Sequence, residues 1–520
     1  MSRYYVTTPI YYVNDAPHIG HAYTTLACDV LARFMRLDGR DVRFLTGTDE
    51  HGQKVEKAAA QKGVDPQAFT DEISQNFRHL ADVMNFSYDD FIRTTEPRHI
   101  ASCQAIWKAI AKGQSPEGRE NIYLEKYAGW YAVRDEAFYT EAEIQEGPRG
   151  QKLAPTGAEV EWVEEPSYFF RLTDWQDSLL KFYQDNPDFI APASRRNEVI
   201  SFVEGGLNDL SISRTTFNWG VPVPDDEEHI MYVWMDALAN YITAVGHPND
   251  GNALWKYWPA DLHMVGKDIL RFHAVYWPAF LMAAGIKPPK RVFAHGWWTN
   301  EGQKISKSLG NVIDPFELVD RYGLDPFRYF LLRQVPFGND GDFSHQAIVH
   351  RLNGDLANDF GNLCQRVLSM IFRNCDGKIP PQHEFSEDDI AFVDGIAASI
   401  EELRKLMEEQ SFHQALELIW RHVGNANRYV DEQAPWELRK SDPVRMETVL
   451  YTLAEAIRNL ALLTSPFMPD AMTRIFDQMS VAATNRTFTH LGRTHGLAEG
   501  TALAGKPQPV FPRFVEEEGA

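Results

Sequence analysis

The chain has 520 residues, of which 44% are hydrophobic and 24% charged. That balance suits a soluble globular protein, and at roughly 100–200 residues per domain it predicts three or four domains rather than a disordered, collagenous or coiled-coil chain. The 51 Lys and Arg against 73 Asp and Glu leave a formal charge of −22, so a polyanionic partner would have to be met by a local basic or aromatic patch.

No apolar run reaches the ~18 residues of a membrane span, and residues 1–6 lack the features of a secretion signal. Cys28, Cys103, Cys364 and Cys375 sit without CxxC spacing. This argues against a disulfide framework or a structural zinc site and fits a reducing cytoplasm.

Residues 4–12, rich in Tyr, Val, Thr and Ile, predict a buried strand. A turn at 14–17 precedes an apolar repeat at Ile19, Ala22, Leu26, Val30 and Phe34, which predicts a helix, with Gly39 where a C-terminal cap belongs. Residues 42–46 predict a second strand. Strand–helix–strand order implies a parallel sheet, in which ligands bind at the carboxyl ends of the strands. Short aromatic runs among Gly, Pro and charges from about 115 to 225 predict an inserted mixed domain; strands at 262–265 and 291–295 resume the α/β pattern. After about 350 the pattern is helical. Phe412, Ala415, Leu416, Ile419, Trp420 and Val423 form one stripe, and Leu450, Leu453, Ile457, Leu460 and Leu463 another, as in the core of a helix bundle. The tail after about 500 is expected to be mobile.

Two segments carry chemistry. His18-Ile19-Gly20-His21 falls at the strand-to-helix junction. A helix N-terminus offers unpaired N–H groups and positive partial charge, Gly20 lets a flat ligand approach the backbone, and two imidazoles three residues apart can face one ligand. The bland alternative is a capped helix with surface histidines. Residues 302–311, GQKISKSLGN, place two lysines among hydroxyls between glycines after a strand. Such a loop can neutralise charge developing on a pyrophosphate leaving group, the alternative being a solvated basic turn. No P-loop, strand-flanked GxGxxG, GxSxG elbow or HExxH is present.

His18–His21 matches the His-Ile-Gly-His signature of class I aminoacyl-tRNA synthetases. Residues 304–308 match their Lys-Met-Ser-Lys-Ser signature, with Ile305 in place of Met. The segments 8–14 (TPIYYVN), 44–52 (FLTGTDEHG), 232–237 (YVWMDA) and 266–269 (GKDI) resemble the methionyl-tRNA synthetase family. The resemblance covers nearly the whole chain and fades only in the tail. It implies a Rossmann-like catalytic domain at 1–115 and 229–295, a connective insertion at 116–228, a lysine-loop junction at 296–350, a helical anticodon-binding domain at 351–500 and a tail at 501–520.

It also implies ATP-dependent activation of L-methionine and transfer to the terminal ribose of tRNA(Met). His18, His21, Lys304 and Lys307 would be catalytic, and Gly20, Gly266, Asp268 and Ser306 would bind ATP. Asp49 would pair with the substrate ammonium. Ile10, Tyr12, Trp234, Ala237, Leu238, Tyr241, Ile269, Phe272, His273 and Trp277 would form the methionine pocket, with Tyr12 and His273 each offering a hydrogen to the thioether. Asn362, Arg366 and Trp436 would read the anticodon by edge hydrogen bonds and stacking. Mg²⁺ would accompany ATP through its phosphates. Many family members carry zinc knuckles in the insertion; here Ala132 and Asp135 stand where a CxxC would be, so no structural zinc is expected. A cytoplasmic monomer without membrane contact is the implied state. An RNA-binding module without activation and a small-molecule adenylate-forming ligase are the competing readings. The intact histidines and lysines weigh against the first, and the helical Asn–Arg–Trp set against the second.

Overall fold

The computed structural model describes residues 2–13, 16–135, 137–249, 251–300, 303–304 and 313–516. The chain divides into two compact units. One comprises Arg3–Pro17 and Arg43–His295; the other comprises His18–Val42 and the chain from Gly296, together with Ser2.

The first unit is built on a seven-stranded sheet: β1 (Arg3–Thr7), β2 (Tyr11–Tyr12), β3 (Asp41–Asp49), β4 (Asp90–Arg93), β5 (Ile190–Ala191), β6 (Leu262–Gly266) and β7 (Val292–His295). The order is β5-β7-β6-β1-β3, with β2 and β4 also paired to β3. The pairs β5·β7, β7·β6, β6·β1, β2·β3 and β3·β4 are parallel. The single strand expected at 4–12 is interrupted at 8–10, where Pro9 has no N–H to give a ladder. From β1 the chain runs outward to β3 and β4, and β6, β7 and β5 fill the other side. The switch in direction therefore lies between β1 and β6, whose carboxyl ends are Thr7 and Gly266. That is where ligands bind in such sheets.

The 116–228 stretch contributes to more than one sheet. Its strands Ile122–Ala132 and Glu161–Phe170 pair antiparallel, flanked by Ala137–Tyr139 and Leu210–Ser211. Between them and residue 210 the chain supplies helices Gln176–Asp185 and Ala193–Glu204 and strand β5, which extends the central sheet. Phe170 and Trp175 sit in the main core with Tyr168 packed against it, and Tyr123 stacks on Phe169 at 5.6 Å. At 132–158 a small cluster of Ala132, Ala154 and Ala158 is buried. Beside it, Asp135 accepts from the Tyr139 hydroxyl at 3.0 Å and from the Thr156 hydroxyl, and Arg134 donates to the Thr156 carbonyl at 2.7 Å.

In the second unit the first helix, α1 (Ile19–Leu37), is buried along nearly its whole length. Gly39, just beyond its C-cap, has φ +79°, a conformation that favours glycine. Helix α1 groups with the chain after Gly296 in this unit. Tyr23 meets Trp298 edge-on at 5.6 Å, Phe34 packs on Phe488, and Asp29 and Arg328 form an ion pair at 2.7 Å with both side chains fully buried. Helices from Pro315–Tyr322 to Pro469–Gln478 make up most of this unit. Helix Phe412–Gln433 buries the first apolar stripe apart from a half-buried Trp420. Helix Pro443–Thr464 is buried all round rather than along one stripe. Its polar residues are satisfied locally: Thr452 and Thr464 donate to the carbonyls of Thr448 and Leu460, and Glu455 pairs with Arg458.

The tail expected to be mobile is strapped down as far as residue 516, and residues 517–520 lie outside the described residues. Leu503 N donates to Gly377 O, Gln508 N to Gln478 Oε1 and Phe514 N to Asn353 Oδ1, while the Phe514 ring lies against Tyr322 at 5.4 Å and Glu516 accepts from His345. The apolar residues Val510, Phe511 and Phe514 in a Pro-rich frame supply the anchors. The tail lines a cavity of about 1180 Å³ together with Arg321, Asp325, Leu352, Asp470 and Arg474.

Asp325 caps helix Pro469–Gln478 by accepting from Ala471 N at 2.5 Å. Burial, with Asp470 adding and Arg328 and Arg474 opposing, pushes its carboxyl up to about 6. A carboxyl raised on folding costs stability wherever it is ionised: fully above about 6, and not at all once pH has fallen below the ordinary carboxylate range. Asp325→Asn keeps an acceptor for Ala471 without the charge. It is expected to stabilise the protein by up to about 3 kcal/mol near pH 8 and to give no gain near pH 4, read by urea unfolding at both.

Candidate active site

In the second unit His18 is the N-cap of α1. Its Nδ1 accepts from Gly20 N, and its own N–H donates to His21 Nδ1, both at 3.1 Å. The two rings lie 3.9 Å apart. Burial and the neighbouring His18 hold His21 well below the usual imidazole range, so it is neutral. With both Nδ1 atoms acting as acceptors, the ring hydrogen of each histidine sits on Nε2. The pair is therefore a capping box that fixes two tautomers as Nε2 donors. A Cβ at Gly20 would meet the His18 ring at 2.9 Å, so the glycine makes room for the capping imidazole.

The described segments on either side of the lysine loop contact the same helix. On its near side, strand Gln303–Lys304 pairs antiparallel with Trp298–Asn300, and Trp298 contacts Tyr23 of α1. On its far side, Ile313 O accepts from Ile19 N at 3.2 Å. Lys304 is thus placed on a strand, whereas Ser306 and Lys307 lie outside the described residues. The described residues that flank the lysine signature, Trp298 and Ile313, thus both meet the helix that His18 caps.

In the first unit Ile10 and Tyr12 follow β1, Asp49 ends β3, and Ile269, Phe272, His273 and Trp277 follow β6, while Trp234, Ala237, Leu238 and Tyr241 lie on the short helices Val233–Leu238 and Asn240–Thr243. Phe272, Trp234, His273, Tyr241 and Trp277 form a chain of ring contacts: Trp234 stacks on Phe272 at 3.6 Å and lies edge-on to His273 at 6.2 Å, and Tyr241 is 5.7 Å from His273 and 6.1 Å from Trp277. Leu238 belongs to the same core, with Ile10 and Ile269 packed against it, and Ala237 is buried beside them in sequence. Tyr12 packs with a second cluster around Val55, Phe69 and Phe77, but its Cα pairs in register with Asp49 at the end of β3. Asp268 opens a short helical turn after β6 and folds over Gly266, where a Cβ would meet its carboxylate at 2.5 Å.

Phe272 and His273 sit in a π-turn that ends when Trp277 N donates five residues back to Phe272 O. Pro278 cannot donate to Ala274 O, and the Tyr183 hydroxyl takes that carbonyl at 2.7 Å. Pro278 is the one signal in the sequence that could have pointed to this widened turn.

His273 does not offer a hydrogen as expected. Its Nδ1 lies 2.9 Å from Ile269 O, a group that only accepts, so Nδ1 carries the hydrogen; Nε2, at 2.7 Å from the Tyr241 hydroxyl, accepts. Burial brings the ring down to about 4, so it stays neutral at physiological pH. Hydrogens run from Tyr241 to His273 to Ile269, and the ring is held rather than free to give. Tyr241→Phe leaves the buried Nε2 without a donor, and the KM for methionine is expected to rise about tenfold, the KM for ATP unchanged, in steady-state exchange assays.

Sequence reasoning assigned no role to His51, His99 or Asp236. Asp236 is fully buried; its Oδ2 accepts from His51 Nδ1 at 2.6 Å and its Oδ1 from His99 Nε2 at 2.7 Å. Burial alone would raise its pKa, but the two imidazoles hold it well below the usual carboxylate range. Among the described residues, His99, Cys103 and Asp236 have donor atoms at metal-ligand spacing. Burial and the neighbouring Asp236 push the Cys103 thiol well up, and both Asp236 oxygens are engaged, so the group is a hydrogen-bonded network. No short-range pattern flags it, because His51 and Asp236 are 185 residues apart.

On the helical body Arg366 lies 5.7 Å from the ring of Trp436, which is exposed, and pairs with Asp431 at 3.0 Å. Trp436 is the second residue of the short helix Pro435–Ser441, whose cap Ala434 takes a positive φ of 42°. Asn362 is exposed one turn before Arg366 on helix Asn362–Asn374. The three residues expected to read a base therefore include an exposed indole beside a guanidinium.

Residues 4–368 match the family described as tRNA synthetases class I (M), and residues 379–520 the anticodon binding domain of methionyl tRNA ligase. The chain is 56% identical to a methionine–tRNA ligase of Mesorhizobium japonicum, covering 100% of this chain and 99% of that protein, and 55% identical to one of Rickettsia felis, covering 99% of each. The structure is similar to Mycobacterium tuberculosis methionyl-tRNA synthetase in complex with methionyl-adenylate, at TM-score 0.94 and 51% identity, covering 99% of this chain and 100% of that one. Against the free form of that enzyme the TM-score is 0.89 at 48% identity, covering 99% of each chain. No helix among the described residues is long and apolar enough to cross a membrane. The chain belongs to the methionyl-tRNA synthetase family of class I aminoacyl-tRNA synthetases.

Proposed function

We infer that this chain is a methionine–tRNA ligase that converts L-methionine and ATP to methionyl-adenylate and pyrophosphate and then transfers the methionyl group to the 3′-terminal ribose of tRNA(Met). The observation that carries this reading is the contact of Trp298 and Ile313, which flank the lysine loop, with the helix that presents His18 and His21. The methionine carboxylate attacks the α-phosphorus, the bond to the β-phosphate oxygen breaks, and negative charge grows on the departing pyrophosphate. Nε2 donors of His18 and His21 and the ammonium groups of Lys304 and Lys307 answer that charge, so catalysis is positioning and electrostatic stabilisation without a protein nucleophile. Mg²⁺ enters with ATP through its phosphates.

Asp49 supplies the counter-charge for the substrate ammonium. Gly266 and Asp268 take the ribose, with Gly20 and Ser306 also at ATP. Ile10, Tyr12, Trp234, Ala237, Leu238, Tyr241, Ile269, Phe272, His273 and Trp277 receive the methionine side chain. Trp436 stacks on an anticodon base while Asn362 and Arg366 bond base edges. The alanines and the Asp135–Thr156 contact at 132–158 support an insertion that needs no zinc. The working state is a cytoplasmic monomer.

ATP–pyrophosphate exchange with each of the twenty amino acids, without tRNA, tests the reading. Exchange with methionine alone is expected. Exchange with a different amino acid would overturn the pocket, and none at all would overturn activation. Trp436→Ala is expected to lose tRNA charging while exchange continues.

A further inference from the structure

The buried Asp236 network joins two parts of the first unit that the proposed function uses separately. Asp236 lies on the short helix Val233–Leu238, two residues after Trp234 and one before Ala237. His51 lies two residues beyond Asp49, just after β3. The Asp236–His51 contact at 2.6 Å ties the segment that carries the candidate ammonium partner to the helix that carries candidate side-chain contacts.

The residues around Asp49 are held at every step. Glu50, fully buried, accepts from Arg93 through both oxygens at 2.7 and 2.9 Å and from Thr48 and Thr95 at 2.7 and 2.6 Å. Its N–H donates to Thr94 Oγ1 at 2.9 Å, and its carbonyl accepts from Trp219 Nε1 at 2.6 Å. Val13 N donates to Asp49 O, and Gly52 N to Trp219 O. Asp49 thus sits between two anchored neighbours, Glu50 on its Arg93 clamp and His51 on Asp236. Of these two, only the His51 anchor runs to the Trp234 helix. Asp236's other oxygen, bound to His99 on helix Pro97–Lys112, sets the carboxylate from the opposite side.

We propose that Asp236 and His51 are positioning residues for methionine: through their hydrogen bond they fix the distance between the Asp49 carboxylate and the Trp234–Ala237 helix, and so match the site to the span from the substrate ammonium to its side chain. The inference rests on the proposed roles of Asp49 and Trp234. Neither Asp236 nor His51 need touch the substrate for it to hold. Misplacing a group by a fraction of an ångström at such a site weakens binding of the ligand it faces.

The test is steady-state exchange with His51→Leu, His51→Asn, Asp236→Asn and Asp49→Asn, with the melting temperature of each. Asn places an amide donor where His51 has Nδ1; Leu has none. His51→Leu and Asp236→Asn are expected to raise the KM for methionine about tenfold with the KM for ATP unchanged, and His51→Asn to recover most of the loss. A wild-type KM for methionine in His51→Leu would overturn the proposal. So would a parallel rise in both KM values without rescue by His51→Asn, since that is what general loosening produces. Asp49→Asn separates the two readings. If it leaves the KM for methionine unchanged, the role of Asp49 falls and this proposal with it. If it raises that KM while His51→Leu does not, only this proposal falls.

Discussion

His18→Asn is expected to lower ATP–pyrophosphate exchange by about 10²–10³-fold while leaving the thermal stability of the protein unchanged. The argument separates two jobs of one imidazole. As N-cap, His18 accepts from Gly20 N through Nδ1; its Nε2 carries the ring hydrogen, the donor proposed for phosphate. Asparagine is among the best N-capping residues and can accept the same bond, but it has no donor where Nε2 stands. The cap survives and the donor is lost. His18→Ala removes both and is expected to cost about 1 kcal/mol of stability as well. Equal melting of His18→Asn and wild type, with exchange measured on the same preparation, checks the first half. Near-normal exchange in His18→Asn would show that the histidine is only a cap.

Arg328→Ala is expected to destabilise the second unit by about 3–5 kcal/mol, because the buried Asp29 loses its fully buried counter-charge. Arg328 donates to Asp29 at 2.7 Å, and also to Phe467 O at 2.9 Å and Pro466 O at 3.2 Å. Asp29 would keep Arg33, whose side chain is partly exposed and so answers the charge less well. The double substitution Asp29→Leu with Arg328→Met should recover most of the loss, since replacing a buried pair by apolar groups of similar volume is close to neutral. Urea unfolding of the single and double variants decides this. Because Asp29 lies on α1, the single variant should also lose exchange, through a helix whose N-terminus is no longer held in place.

The chemistry-bearing segments were legible in the sequence because each is a local constellation. His18, Gly20 and His21 fall within four residues, and an apolar period announces the helix they begin. The stripes at 412–423 and 450–463 were legible for the same reason, since burial imposes helical spacing. What the second stripe did not reveal is that its helix is buried on every side: Thr452 and Thr464 look polar in sequence but satisfy their hydroxyls on the preceding turn. The tail read as mobile because Gly, Pro and Glu dominate it, yet Phe511 and Phe514 are anchors whose sockets lie far away in sequence. Strand β5 was invisible because two residues carry no period.

The sequence by itself determined the two chemistry-bearing segments, donors at a helix start and cations in a glycine-flanked loop, and the family resemblance added the aromatic residues expected to receive a thioether. The two segments depend on residue type and short spacing. Only the tertiary structure decided how those groups are held. It set the tautomers of His18 and His21 through a capping box, turned His273 from a donor into an acceptor of the Tyr241 hydroxyl, and joined Asp236 to His51 across 185 residues. A hydrogen bond has direction and needs a partner within about 3 Å. Which partner that is, and which way the hydrogen points, follows from the packing of segments distant in the chain.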